Sequence, residues 1–488
     1  MKTLEGKKKT QNGVKRLAFT VLSILLEVVF LIGIFKGLNE YAVFIDNLTR
    51  IFAVILVLKI YGRNETSSMK TPWIILILTL PILGVALYFL IGLNGGTWKM
   101  RMRYKKIDEK LLPLLPENKE VLQCLNASDP KAGNVSNYIE RNACYPVYQN
   151  TDVTYFDEAV KGLEAQLADL AKAGKFIFME YFIIGEGYVW DTVLEVLRKK
   201  VKEGVEVRLM YDGTCSISLL PYEYPKQLRE YGIQCKEFGP IVPILSTSQN
   251  NRDHRKICVV DGKVAFTGGV NLADEYINKK VRFGHWKDTA IKIEGDAVQS
   301  FTMMFLQMWN ITERQPEDYA KYLTEKQPGF SRKDGYIIPY GDSPFDHENV
   351  GEEVYFHILN HAKKYVHIMT PYLILDNEMI DALTRAAKGG IEVQIIMPHI
   401  PDKPYAFYLA KTYYEELIAG GVEIYEYTPG FVHAKVFTSD DDTATVGSIN
   451  LDYRSLYLHF ECGVFIYRNP VVRDIEKDFQ ETLAKCQK

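Results

Sequence analysis

Two long apolar runs open the chain, and a repeating alternation of strand-like and helix-like segments fills the rest. Leu17 to Phe35 is apolar apart from Ser, Thr, Gly and one carboxylate, Glu27. Trp73 to Leu93 is apolar over a length that crosses a hydrocarbon core. Pro81 and Gly84 lie inside it, and membrane helices tolerate both because neighbouring groups satisfy the freed backbone. Between them, Tyr41 to Tyr61 is weaker. Asp46, Asn47 and Arg50 interrupt it, and only Ile51 to Leu58 is a clean run, readable as a third span or as a helix lying in the interface. The first run follows a basic stretch (Lys7, Lys8, Lys9, Lys15, Arg16), but it exceeds the h-region of a signal peptide and no small-residue cleavage site follows. The expectation is an uncleaved anchor.

From about residue 150 onward the pattern is written twice. A β-rich run, 175–184, is answered by 365–370; a helical stretch, 191–202, by 377–388. Gly204-Val-Glu-Val-Arg-Leu-Met-Tyr211 is answered by Gly390-Ile-Glu-Val-Gln-Ile-Ile-Met397, and Gly232-Ile-Gln-Cys-Lys-Glu-Phe238 by Gly421-Val-Glu-Ile-Tyr-Glu-Tyr427. Strands alternating with helices predict an α/β sheet with helices on its faces. Similarity at so long a period means a duplicated domain, not a solenoid. The Gly- and Pro-bearing stretch Lys326 to Gly341 is the predicted join.

Charge changes this picture in one place. The net charge of −3 gives no nucleic-acid signal. The first seventy residues are nevertheless net basic, and Lys99, Arg101, Arg103, Lys105 and Lys106 follow the second apolar run with no acid among them. Basic flanks belong on the cytoplasmic side. The N-terminus and this run are both satisfied only by an even number of spans. The seven cysteines are scattered, with no CxxC pair, which argues against a structural zinc site and for free thiols in a reducing compartment.

Each half then delivers one cluster of reactive side chains. The first is His254-Arg-Lys256-Ile-Cys-Val-Val-Asp261, followed by Thr267-Gly268-Gly269-Val-Asn271. The second is His433-Ala-Lys435-Val-Phe-Thr-Ser-Asp440, followed by Gly447-Ser448-Ile-Asn450. Residues two apart on a strand face the same way, so each His sits beside its Lys. The glycines would let a ligand approach the backbone, and Asn271 and Asn450 can donate to phosphate oxygens. A phosphodiester needs such a set. One imidazole attacks phosphorus while a second protonates the leaving alkoxide and later deprotonates the incoming hydroxyl. Two ammonium groups stabilise the anionic transition state, so neither a metal nor a cofactor is expected. Asp261 and Asp440 complete the catalytic set of His254, Lys256, His433 and Lys435, and are expected to hold structure near the site more than to act in the chemistry.

These paired motifs resemble the HxKx4D motifs of the phospholipase D superfamily. The resemblance runs from about Asp152 to the C-terminus. It extends to the subfamily of bacterial cardiolipin synthases through Pro72-Trp73, Pro81-Ile-Leu-Gly84 and Tyr88-Phe-Leu-Ile-Gly92, Glu180-Tyr-Phe-Ile183, Asn251-Arg-Asp-His-Arg-Lys256, Thr370-Pro-Tyr372, Pro401-Asp-Lys403 and Gly430-Phe-Val-His-Ala-Lys435. It implies a fold of two phospholipase D-like α/β halves, each a mixed sheet flanked by helices, related by a pseudo-two-fold axis with one active site at the seam. An N-terminal transmembrane helical region precedes them. The organisation so expected is a membrane anchor of two or three helices over 1–96, a basic juxtamembrane linker over 97–150, and the two halves over 151–325 and 326–488. The resemblance also implies His254 as nucleophile and His433 as general acid and base, with Asp288 and Glu461 as the downstream carboxylates that orient them. Gly269 and Ser448 lie in the substrate-binding or orienting set. One departure is visible: His459 stands where the subfamily carries Asn, either a swap of polar groups or a new role.

The implied activity is transfer of a phosphatidyl group from one phosphatidylglycerol to another, at a multi-pass cell-membrane protein whose catalytic region is cytoplasmic. The alternatives are a hydrolytic phospholipase D, with water as acceptor, or a phosphatidyltransferase with another donor or acceptor head group. A nuclease is disfavoured by the absence of a basic, aromatic-interleaved face. A catalytically dead scaffold is disfavoured because both His and both Lys are present. Nothing in the sequence reports on oligomeric state.

Overall fold

The computed structural model describes residues 42–63, 67–92, 95–221, 223–241, 247–313, 317–323, 334–346 and 348–488, with scattered positions between 21 and 33. The chain divides into two compact units. One comprises residues 1–102 with 241–250, the other 103–240 with 251–488.

In the first unit, helices Ala42–Tyr61, Ser67–Thr79 and Pro81–Leu87 are followed by a wider turn of helix, Tyr88–Gly92. Ala53, Leu56, Ile60, Ile77 and Tyr88 form its small core. Many larger apolar side chains point outward instead, including Ile51, Ile55, Leu58, Leu78, Phe89 and Leu90. No helix among the described residues is long and apolar enough to cross a membrane. The expected span from Trp73 to Leu93 is not one helix. It breaks at Leu80, whose extended backbone precedes Pro81. At Gly84 the chain passes so close to Ile77 that a Cβ would lie 2.7 Å from its Cα. The first expected span, Leu17 to Phe35, lies largely outside the described residues.

The second unit contains the duplication. Its first half supplies β1 Thr151–Phe156, β2 Phe176–Tyr181, β3 Glu206–Asp212, β4 Gln234–Phe238, β5 Lys256–Val260, β6 Val264–Gly268, β7 His285–Lys287 and β8 Ala290–Gly295. Its second half supplies β9 Tyr336–Asp342, β10 Tyr365–Met369, β11 Leu373–Ile374, β12 Glu392–Pro398, β13 Glu423–Tyr427, β14 Gly430–Val432, β15 Val436–Ser439, β16 Thr443–Gly447, β17 Leu451–Asp452, β18 Glu461–Tyr467 and β19 Cys486–Gln487. The first sheet runs β1-β8-β6-β5-β2-β3-β4, and the second runs β9-β18-β16-β15-β10-β12-β13 with β19 added at its edge. The order is the same in both. In each, the three strands joined by helices (β2, β3, β4 and β10, β12, β13) are parallel, and the rest are antiparallel. Helical crossovers force parallel pairing and short turns force the reverse, so the mixed sheets follow from the connections.

Between the sheets lies helix Val298–Asn310, buried along its whole length. It packs on β2, β5, β6 and β8 of the first sheet and on β9 of the second. Such all-round burial explains its nearly unbroken apolar sequence, FTMMFLQMW. The expected linker over 97–150 is not a linker from residue 103 onward. Tyr104, Leu111, Leu125 and Ile139 are buried, Asn118 donates to the Val147 carbonyl at 2.8 Å, and Asp108 accepts from Gln307 at 2.9 Å. The expected join ends inside β9, which begins at Tyr336 and is hydrogen-bonded to β18; residues 324–333 are outside the described set.

Candidate active site

The two halves exchange backbone at the points where their motifs begin. The His254 N–H donates to the Phe460 carbonyl at 3.0 Å, and the Phe460 N–H to the Arg252 carbonyl at 2.8 Å. Symmetrically, β14 pairs in parallel with β7, and the His433 N–H donates to the Lys287 carbonyl at 2.7 Å. Each motif histidine, just ahead of β5 or β15, therefore sits on backbone hydrogen-bonded to the other half.

The carboxylates cross in the same way. His254 Nδ1 lies 2.8 Å from Oε1 of Glu461, and His433 Nδ1 lies 2.7 Å from Oδ2 of Asp288. Each imidazole is thus oriented by an acid of the opposite half, a pairing that spacing within one motif could not reveal. Ser448 Oγ donates to the second oxygen of Glu461, and the Thr289 N–H donates to Oδ1 of Asp288 at 2.9 Å. Lys256 and Lys435 each donate to the carbonyl of their own histidine. Aromatic rings wall the pair. Phe182 stands edge-on to His254 at 4.9 Å, and Tyr276 and Trp286 stand 5.4 and 5.3 Å from His433. Phe182 falls in the Glu180-Tyr-Phe-Ile183 stretch that carries the resemblance, whereas Tyr276 carries no motif signature.

Burial sets the charges. It holds both His254 and His433 well below the ordinary histidine range, against the pull of Glu461 on the first and reinforced by Lys435 and Lys256 on the second. Burial also lowers Lys256 to about 8 and Lys435 to about 7. It raises Asp288 to about 6, with Lys435 opposing. Burial acts upward on Glu461 as well, but His254, hydrogen-bonded to it, and Lys256 outweigh it and hold this carboxylate far below its usual range. The result is two neutral imidazoles, each donating its Nδ1 proton to a carboxylate, with the Nε2 lone pair left for chemistry. Both histidines sit on backbone bonded to the opposite half, and a Cβ on Gly269 of the first half would lie 2.8 Å from the His433 carbonyl of the second.

Several expected site residues lie elsewhere. Asp261 and Asp440 cap the far ends of their strands. Asp261 accepts from the N–H groups of Gly174, Lys175 and Phe176 at 2.7 to 2.8 Å, and Asp440 from those of Lys363, Lys364 and Tyr365 at 2.7 to 3.2 Å. Each stands five residues beyond its Lys, about 16 Å at the strand rise of ~3.3 Å per residue. They cap the N–H groups that lead into β2 and β10 and are neither catalytic nor close to the site. The glycines serve protein rather than ligand. A Cβ at Gly269 would lie 2.1 Å from Oδ1 of Asp288, and one at Gly447 would lie 2.3 Å from the Cys462 carbonyl. Asn271 accepts from the Ile183 N–H at 2.9 Å and donates to Tyr276 Oη at 2.8 Å, while Asn450 donates to Ser455 Oγ at 3.0 Å. The Asn271 amide is thereby committed to the scaffold, whereas the buried Oδ1 of Asn450 has no hydrogen-bond partner among the described residues. Of the remaining histidines, His367 bonds Glu476 and Glu392, and His399 bonds Glu426. None of these joins the site, and His347 is outside the described residues.

Between His254 and Lys256, Arg255 points to the other face of its strand. Fully buried, it donates from Nε to Glu180 Oε1 at 2.7 Å and from its terminal nitrogen to the Met304 carbonyl at 3.1 Å. Register identifies the counterparts in the second half. Glu180 faces Ile257 on β5 as Met369 faces Val436 on β15, so Glu180 matches Met369 and Arg255 matches Ala434. One repeat uses an ion pair where the other uses Met and Ala. Breaking a buried pair strands a charge, at a cost of about 3–5 kcal/mol, whereas replacing both partners with apolar groups is often neutral. Asp253 Oδ1 also lies 3.6 Å from Arg255 Nε, and its match in the second half is Val432. Arg255→Ala alone is therefore expected to lose roughly that much stability in denaturant titration, and Arg255→Ala with Glu180→Met and Asp253→Val to recover most of it. A triple variant as unstable as the single one would reject the equivalence.

Among the described residues, one group of side chains could hold a metal ion: His254, His459 and Glu461.

Comparison with known proteins agrees with this architecture. A family model described as "Cardiolipin synthase, PLD-like domain" matches residues 167–309 and 355–483, and one described as "Phospholipase_D-nuclease N-terminal" matches 51–92. The chain is 51% identical over 427 residues to an uncharacterized protein of Streptococcus mutans, covering 88% of this chain and 92% of that one. It is 34% identical over 435 residues to a cardiolipin synthase of Oceanobacillus iheyensis, covering 87% and 88% of the two. Among solved structures, phosphatidylserine synthase from Haemophilus influenzae superposes with a TM-score of 0.56 at 13% identity, covering 73% of this chain and 91% of that one, which bears on the fold alone. By its duplicated sheets, its paired His-Lys motifs and these matches, the chain belongs to the cardiolipin synthase family of phospholipase D-like proteins.

Proposed function

We propose that this protein is a phosphatidyltransferase that joins two phosphatidylglycerol molecules into cardiolipin and releases glycerol. The observation that carries the reading is the pair of buried imidazoles, each held by a carboxylate of the opposite half, with a lysine beside each. His254 Nε2 attacks the donor phosphorus, and the bond from phosphorus to the glycerol head-group oxygen breaks. That oxygen takes a proton from His433, and glycerol leaves. The phosphatidyl group now sits on His254. The free head-group hydroxyl of a second phosphatidylglycerol gives its proton to His433 and attacks, and the N–P bond breaks. Lys256 and Lys435 stabilise the charge on the non-bridging oxygens in both steps. One phosphodiester is exchanged for another, so no nucleotide is needed.

The assignment of the two roles draws on the carboxylates. A general acid must first carry an extra proton. Asp288 titrates at about 6, so the His433–Asp288 pair can take one up near neutrality. Glu461 stays ionised throughout, which suits an imidazole whose task is to keep an open lone pair.

The apolar exterior of the first unit suits attachment to lipid, as a membrane anchor. The exposed Lys99, Arg103, Lys105 and Lys106 would add roughly 1 kcal/mol per charge close to an anionic surface, on the cytoplasmic side.

The test is a product assay. Purified protein in phosphatidylglycerol vesicles is expected to release cardiolipin and glycerol in equal amounts. Both vanish in His254→Ala and in His433→Ala. Phosphatidate without cardiolipin would make water the acceptor and overturn the transferase reading.

A further inference from the structure

The side chain of His459 is 9% exposed, and neither of its ring nitrogens has a hydrogen-bond partner among the described residues. A buried imidazole with both nitrogens unmet forfeits the hydrogen bonds it makes in water, which marks it for an absent partner. The ring centre stands 5.4 Å from that of His254. Its Nδ1 lies 3.7 Å from Oε1 of Glu461, the oxygen that faces His254 Nδ1 at 2.8 Å. One ligand atom from each of the three side chains falls within 4.8 Å of the others.

We propose that His254, His459 and Glu461 form an inhibitory site for a divalent transition metal, best matched by Zn2+. Two imidazoles and one carboxylate are a donor set that zinc takes in a tetrahedral arrangement with a fourth position open. Bond lengths of about 2.0–2.1 Å place neighbouring ligand atoms roughly 3.3–3.5 Å apart. The separations of 2.8 and 3.7 Å straddle that spacing, so small side-chain rotations complete the site. Glu461 supplies a negative charge against the nearby Lys256. Magnesium, which prefers oxygen ligands and octahedral geometry, does not fit.

The consequence follows from the tautomer and rests on His254 being the nucleophile. A metal on Nδ1 displaces the proton that Nδ1 shares with Glu461. That proton moves to Nε2, and the ring stays neutral. The lone pair that would attack phosphorus is then occupied. Metal binding switches the nucleophile off without blocking the position of the lipid phosphate.

The test uses full-length protein in detergent, stripped by chelator, with Zn2+ as the probe. Equilibrium dialysis measures bound zinc, and the transferase assay is run on the same samples. Wild type is expected to bind one zinc ion and to lose activity over the same concentration range, with recovery on adding chelator and no effect of Mg2+. His459→Asn is expected to bind zinc at least about tenfold more weakly, since even loss of an outer-sphere partner costs that much, and its zinc inhibition, read against its own metal-free rate, is expected to shift to higher concentration by the same factor. His459→Gln serves as a second variant should the first be unstable. Unchanged zinc affinity in a folded His459 variant would overturn the site. Zinc bound with activity intact would overturn the switch. Dialysis reads binding whatever reaction the enzyme performs, so failure of the transferase reading is distinguishable from failure of the site.

Discussion

A His433→Asn variant is expected to lose transfer from phosphatidylglycerol yet still form a covalent adduct with a donor whose leaving group is nitrophenolate. A glycerol alkoxide is a poor leaving group and depends on a proton from His433. General acid catalysis of this kind contributes about 10²- to 10⁴-fold, and that is the loss expected with the natural donor. Nitrophenolate departs without protonation, so the first step survives. The second step still needs His433 to deprotonate the acceptor, so the phosphatidyl-enzyme accumulates. His254→Asn, by contrast, is expected to fail with both donors, because no nitrogen is left to attack phosphorus. The readout is a burst of nitrophenolate matched to enzyme concentration, with a mass increase on the peptide carrying His254. Adduct in His254→Asn but not in His433→Asn would reverse the roles. Absence of adduct in both would remove the covalent route.

The sequence carried these assignments unevenly, and the reasons are physical. The repeated strand-helix pattern was legible because parallel strands are continuous apolar runs and their crossover helices are amphipathic. β3 and β12, or β4 and β13, could be matched by eye. The antiparallel strands β1, β8, β9 and β18 were not singled out, because they pair at long range and carry no local turn signature. The reactive side chains were legible as His-x-Lys spacing. Their partners were harder to place. Asp288 and Glu461 could be named by resemblance, but that each serves the histidine of the other half depends on the exchange of backbone at Phe460 and at β7–β14. Spacing suggested that Asp261 and Asp440 lie near the site. It could not show that five residues of strand carry them to its opposite end, where they cap the N–H groups before β2 and β10. The glycines were misread for a related reason. Open space around a glycine looks like room for a ligand, but Asp288 and neighbouring backbone fill it. Arg255 gave no warning at all, since a charge between two catalytic residues reads as part of the site. Strand alternation turns it inward to Glu180.

Glu461→Gln should cause the larger loss among the two orienting carboxylates, while leaving the fold intact. Glu461 is fully buried with both oxygens engaged, one facing His254 Nδ1 and one accepting from Ser448. Glutamine has the same shape, so packing is kept. What changes is the choice of proton. A carboxylate can only accept, which fixes the proton on Nδ1 and leaves Nε2 free. An amide can also donate. With its NH2 toward Nδ1, it favours the tautomer protonated on Nε2, and the nucleophile is lost. The same change of tautomer in a serine protease triad costs about 10⁴ in kcat, and a loss on the order of 10³ to 10⁴ is expected here with either donor. Asp288→Asn differs in kind. It disturbs the general acid, so the nitrophenolate donor should bypass it in the first step as it bypasses His433→Asn. The two variants are thus separated by leaving group, with thermal unfolding as the control for folding. Lysine titration separates them from a third effect. Burial lowers Lys435 to about 7, so activity is expected to fall as pH rises through that range in wild type, and at lower pH in both carboxylate variants, because Asp288 and Glu461 each act to raise Lys435. Replacing Lys435 by Arg, which keeps its charge, should move that decline upward. If Glu461→Gln stays within tenfold of wild type on the nitrophenolate donor, the carboxylate does not set the tautomer of His254, and the nucleophile is selected by something other than the acid of the opposite half.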